Sequence, residues 1–138
     1  MALPLRTSVH SMQAAIFVFL GAGLGGCLRH FVNIGVGRLL GTDWPWGIFA
    51  INVTGSLMMG LVAGWLTFKS GVNWTQGLRL FLATGVLGGY TTFSTFSLDA
   101  VLLWERGDVG AAFGYMVGSV VASVLALAAG LAVVRSFA

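Results

Sequence analysis

The sequence predicts an all-α membrane protein in which four helices cross the bilayer and the third is broken at mid-depth. Three observations predict it. The 138-residue chain is 57% hydrophobic and only 8% charged, with a mean hydropathy of +0.93, well above soluble globular domains. Residues 11–28, 44–68, 80–98 and 109–134 contain no Lys, Arg, Asp, Glu or His, and each run has the roughly 18 to 20 residues that a helix needs to cross about 30 Å of hydrocarbon. The third run carries GGYTTFSTFS, residues 88–97, with six hydroxyl side chains and a glycine pair in ten residues.

The spans are expected at about residues 13–40, 44–68, 79–104 and 109–134, as a single integral membrane domain. All five Trp (Trp44, Trp46, Trp65, Trp74, Trp104) fall near span ends, where amphipathic rings settle at headgroup level. The connections are short turns with no room for a soluble domain. Span one is long enough to predict tilt or a late break near residues 35–37. Its apolar sequence resumes after Arg29 and His30, which argues against a cleaved signal peptide. Span two opens with Thr42-Asp43 as a cap and Pro45 in its first turn. Span four follows a charged turn at residues 105–108.

The single cysteine, Cys27, allows no internal disulfide and is expected as a small buried hydrophobe in a Gly-rich helix. The net charge is +3 and the pI about 9.8. The seven basic residues are scattered singly at span ends, which fits interfacial anchoring rather than nucleic acid. One membrane side would carry Arg6, Lys69, Arg79 and Arg135, the other Arg29, Arg38 and Arg106. So even a balance fixes no orientation, and a chain that inserts both ways pairs most simply as an antiparallel dimer.

Gly110, Gly114, Gly118, Ala122 and Ala126 recur every four residues in span four, as do Gly60 and Gly64 in span two, and both stripes are expected as packing faces. GAGLGG, residues 21–26, fits G-x-G-x-x-G, but it lies within a span with no preceding strand, so a dinucleotide fold is excluded. The sequon at Asn52-Val53-Thr54 is discounted for its depth.

Polar groups in hydrocarbon need a reason. Span two holds Asn52 and Ser56, and span four holds Tyr115, Ser119 and Ser123, spaced four apart in a column rotated about 100° from the glycine stripe. Gly88-Gly89 before Tyr90, Thr91 and Thr92 is weak helix, because Gly costs about 1 kcal/mol each and Thr bonds its own backbone. A break there frees carbonyls that suit a cation. Beyond it, Phe93 and Phe96 share a helical face, and their positive ring edges suit an anion. Dehydrating a small ion costs on the order of tens of kcal/mol, whereas one hydrogen bond to it returns only ~1.5–3. Several donors must therefore converge.

These residues resemble the CrcB/Fluc fluoride channels. GGYTTFSTFS resembles that family's signature, supported by GAGLGGCLRH in span one, PWGIFAINVTGS in span two and the Tyr-x-x-x-Ser-x-x-x-Ser spacing in span four; the resemblance covers about residues 15–134. It implies a fluoride-selective channel for passive export, multi-pass in the bacterial inner membrane, built as an antiparallel homodimer with two pathways. It implies a structural Na⁺, not transported, held by the backbone carbonyls of Gly88 and Thr91. The same resemblance assigns Phe93, Phe96, Asn52, Tyr115, Ser119, Ser123 and Thr95 to the fluoride pathway and Arg29 to its vestibule. The sequence departs from the pattern at Tyr90, Asp99 and Ile48, the last removing a hydroxyl near the start of the polar track.

Other classes fit less well. A small dual-topology exporter of cations or drugs would use an intramembrane carboxylate, for which Asp99 is the sole candidate. A non-transporting assembly subunit would explain the glycine stripes but not the hydroxyl column. No enzyme is expected, since neither His10 nor His30 has a nucleophile or metal-ligand partner at useful spacing.

Overall fold

The structure is a computed structural model that describes residues 6–68 and 76–137, with residues 6–10 described by backbone only. Lys69, Trp74 and the side chains of Arg6 and His10, all named above, lie outside the described residues. The described residues form helices and turns with no strand. α1 is Arg6–Leu40 and α2 is Trp46–Phe68. The third span comprises α3 (Gln76–Arg79), a π-helical segment (Leu80–Leu87), α4 (Gly88–Tyr90) and α5 (Phe93–Glu105). α6 is Val109–Ser136. Four helical stretches are long and apolar enough to cross a membrane: Ser11–Leu40, Trp46–Thr67, Gln76–Glu105 and Val109–Ser136.

Of the tilt or late break expected of span one the structure has no break, and the cap expected for α2 is corrected. α1 has no break at residues 35–37 and runs on until Gly41, whose φ of 84° stops it while its N–H reaches the Gly37 carbonyl at 3.0 Å. Glycine weakens a helix by about 1 kcal/mol, but an interruption in hydrocarbon strands backbone groups at several kcal/mol each. The helix therefore persists. At the start of α2 the first acceptor is the Pro45 carbonyl, which takes the Phe49 N–H at 3.1 Å. Pro45 is thus the N-cap itself, and Thr42-Asp43 stay in the preceding bend. α6 begins as expected after its charged turn, with the Asp108 carboxylate accepting the Ala111 N–H at 3.1 Å.

α2 packs on α6, and α1 packs on the first half of the third span. Both contacts are made by glycine. A Cβ on Gly60 would run into the Leu127 carbonyl of α6, and one on Gly89 would meet the Ala22 carbonyl of α1 at 2.5 Å. The glycines of the span-four stripe, by contrast, pack on nothing within this chain: Cβ atoms on Gly110, Gly114 and Gly118 would meet nothing within 4 Å. α6 turns inward the face of Ala112, Tyr115, Ser119 and Gly130, which leaves the glycines on an adjoining, uncovered one. Cys27 is also corrected. It is exposed, because α1 lays Gly21 and Gly25 on the third span and a residue two positions further on points about 200° away.

A small core forms where α2, α5 and α6 meet: Ile48, Ile51, Phe96, Ala100, Leu103, Ala112 and Tyr115. Elsewhere large apolar side chains are bare, among them Phe19 at 76% and Leu39 at 83% exposure. Such a surface is at rest in lipid or against another chain.

Candidate functional site

The polar stretch of the third span is where its helix opens. Thr91 (φ −77°, ψ 157°) and Thr92 (φ −152°, ψ 124°) are extended, so the residues from Gln76 to Tyr90 and those from Phe93 to Glu105 are separate helical halves. Each half is closed by threonine. Both the N–H and the hydroxyl of Thr91 donate to the Leu87 carbonyl, at 3.1 and 3.0 Å. The Thr92 hydroxyl caps α5 by accepting the Thr95 N–H at 3.3 Å, and it donates in turn to the Thr95 hydroxyl at 3.2 Å.

α2 supplies the seat for this opening. The Asn52 amide donates to the Thr92 carbonyl at 3.1 Å and accepts the Thr92 N–H at 3.0 Å. Thr54 and Tyr90 share a hydroxyl–hydroxyl bond of 3.1 Å. A Cβ on Gly55 would run into the Thr91 side chain. The discounted sequon and the glycine after it are therefore a cradle for the break. Sequence reasoning placed Thr92 in the weak stretch but missed its role as a cap; the available signal was a Thr at the N-cap of a helix that must restart.

The two half-helices meet with opposite polarity. Residues 88–91 present the carbonyl, partly negative end of one; residues 92–95 present the N–H, partly positive end of the other. Arg29 of α1 is placed at the carbonyl end, its Nη1 3.5 Å from the Thr91 oxygen.

Beside the break runs a groove of about 520 Å³ lined by Asn52, Ser56, Gly88, Thr91, Thr92, Phe93, Phe96, Ser119 and Ser123, among others. The Phe93 and Phe96 rings lie 5.4 Å apart and tilted by 44°. Their surroundings differ: Phe93 is 77% exposed, whereas Phe96 is 8% exposed and packs on Tyr115 at 5.1 Å. Ser119 is only 4% exposed, and its buried hydroxyl has no partner among the described residues.

Three of the sequence candidates are not in the groove lining. Tyr115 is fully buried behind Phe96, its hydroxyl donating to Asp99 Oδ2 at 3.3 Å and its ring met edge-on by Trp44 at 5.2 Å. Thr95 is engaged in the α5 cap, and Arg29 sits at the other face of the break. The span-four column thus divides, with Ser119 and Ser123 facing the groove.

Residues 16–131 match the profile of the family described as CrcB-like protein, Camphor Resistance (CrcB). The chain belongs to the CrcB family. Similar proteins include the fluoride-specific ion channel FluC of Rhodopseudomonas palustris, 58% identical over 121 residues, which is 88% of this chain and 96% of that one. The FluC of Methylobacterium nodulans is 53% identical over 126 residues, 91% of this chain and 99% of that one. The FluC of Mesorhizobium japonicum is 48% identical over 121 residues, 88% and 95% of the two chains. The three positions at which a departure from the family pattern is expected all have local partners. Ile48 is core, Tyr90 holds Thr54, and Asp99 accepts from Tyr115.

Proposed function

We propose that this multi-pass membrane protein is a fluoride-selective ion channel, letting fluoride leave the cytoplasm passively and so lowering its toxicity inside the cell. The Ser119 hydroxyl carries the reading. A buried hydroxyl without a partner costs about 1–3 kcal/mol, and it is kept here in a groove that also holds two aromatic rings, the Asn52 amide and the N–H end of α5. Such donors suit a small anion that must shed its water, and they surround no carboxylate: Asp99 is tied to Tyr115 and does not line the groove. A carboxylate-coupled exporter has less support for that reason. Efflux from liposomes loaded with the purified protein tests the reading. Fluoride efflux far above the protein-free rate with chloride retained is expected; equal release of both anions overturns it.

We further propose an antiparallel homodimer in the bacterial inner membrane. The four-to-three balance of basic residues and the open side of the groove, where Phe93 is largely exposed, support a second copy as its other wall. A structural Na⁺ is proposed at the Gly88 and Thr91 carbonyls. Their fit rests on Gly88: a Cβ there would meet only the Ala83 carbonyl at 3.7 Å, so nothing among the described residues demands glycine, and the position is open to a close approach from outside the chain. Among the described residues no His, Cys, Asp and Glu cluster offers another metal site. Main-chain oxygens at a negative helix end are the hard donors such an ion prefers. When bound, the ion would supply a fixed positive charge beside the fluoride path.

A further inference from the structure

The contact between α1 and the break carries more than packing. Gly25 touches the third span so closely that a Cβ would run into the Val86 carbonyl and reach the Tyr90 nitrogen. Arg29 lies one helical turn beyond Gly25, on the same face of α1. The glycine approach thus delivers the guanidinium to the end of the first half-helix. Nη1 comes within 3.5 Å of the Thr91 oxygen, and among the described residues Arg29 has no carboxylate partner.

A helix end in hydrocarbon has a specific need. Its last carbonyls have no intrahelical partners, they carry about half a negative charge, and there is no water to satisfy them. Guanidinium is permanently charged and offers five N–H donors, which suits it to that end. The proposed Na⁺ would use the same Thr91 oxygen. A carbonyl has two lone pairs and can serve both, but two positive charges a few ångströms apart repel.

We propose that Arg29 is a built-in counter-charge for the carbonyl end of the broken helix and, by charge repulsion, competes with the structural cation at the Thr91 oxygen. Arg29 therefore acts in opposite directions. It stabilises the break when no cation is bound, and it weakens the hold on a cation that arrives. A merely structural anchor would do only the first. The inference rests on the cation reading given above and adds to it a residue that sets the affinity.

The test uses full-length protein and reads thermal stability, not flux. Unfolding midpoints are followed while Na⁺ is replaced by N-methylglucamine at constant ionic strength. Without Na⁺, Arg29→Gln is expected to unfold at a lower temperature than the parent. Its half-saturating Na⁺ concentration should be at least fivefold lower, because the competing charge is gone, whereas Arg29→Lys should stay within about twofold of the parent. An unchanged or raised Na⁺ requirement in Arg29→Gln overturns the competition and leaves the cation site standing. Failure of Arg29→Gln to fold even in saturating Na⁺ also overturns it, since the cation should then replace the lost charge. Stability indifferent to Na⁺ in parent and variants alike overturns both the competition and the cation site.

Discussion

Asn52 and Thr92 exchange two hydrogen bonds across the break, amide to carbonyl at 3.1 Å and N–H to amide oxygen at 3.0 Å. One side chain of α2 thus satisfies both backbone groups of a residue that has left its helix. In hydrocarbon nothing else would. Asn52→Ala leaves both groups unpaired and is expected to cost about 1–3 kcal/mol for each. Asn52→Gln keeps both the donor and the acceptor on a side chain one methylene longer, so its loss should be smaller. Denaturant titration of the purified protein checks the order, and an Ala variant as stable as the parent contradicts the role.

Ser119 should behave in the opposite way. Its hydroxyl is buried without a partner, so Ser119→Ala removes a polar group that contributes no bond to the fold. Stability is expected to stay level or rise by up to about 1 kcal/mol, while fluoride flux from liposomes falls. A Ser119→Ala protein that is destabilised with flux intact would assign the hydroxyl to structure.

The glycines sort into those that need to be glycine within the chain and those that do not. Gly89→Ala drives a methyl into the α1 backbone at Ala22 and should destabilise by about 1–3 kcal/mol, as overpacked sites do. Gly114→Ala meets nothing within the chain and gains helix propensity of about 1 kcal/mol. Thermal melts of the two variants separate these cases. If Gly114→Ala instead weakens subunit association, the outward stripe of α6 is a contact between copies.

What could be read from the sequence follows from which forces are local. Four uncharged runs gave the spans, and the glycine pair with two threonines placed the break, because solvation of backbone in lipid is decided segment by segment. Which face of a helix turns inward is not local. Gly110, Gly114 and Gly118 carry the same spacing as Gly60 and Gly64, yet only the second pair packs here, on Leu127 and Val134. The seat for the break escaped for a similar reason: Asn52 and Thr92 are 40 residues apart, and their pairing depends on how α2 lies against the third span. Tyr115 shares a column with Ser119 and Ser123, but Asp99 and Phe96 draw it out of the groove.

Orientation gives a further prediction. On the expected span order the basic residues divide four to three between the two sides, so C-terminal reporter fusions should detect both locations in one membrane. Two added lysines in one loop should bias insertion and lower flux until an oppositely biased copy is supplied. A single location for the unmodified chain excludes dual topology.

Phe93 and Phe96 separate ion contact from packing, because their burial differs so widely. Phe96 is 8% exposed and stacks against Tyr115, so Phe96→Ile should cost about 1–3 kcal/mol of stability through lost packing, whatever else it does. Phe93 is 77% exposed and has little packing to lose within the chain. Phe93→Ile keeps an apolar side chain of roughly similar volume and removes only the positive ring edge. A role in anion contact therefore predicts a fully folded Phe93→Ile protein with fluoride flux reduced tenfold or more, measured at matched reconstitution. Flux within twofold of the parent would mean that the Phe93 edge does not meet the ion, and would leave Ser119, Ser123 and Asn52 as the groove's working donors.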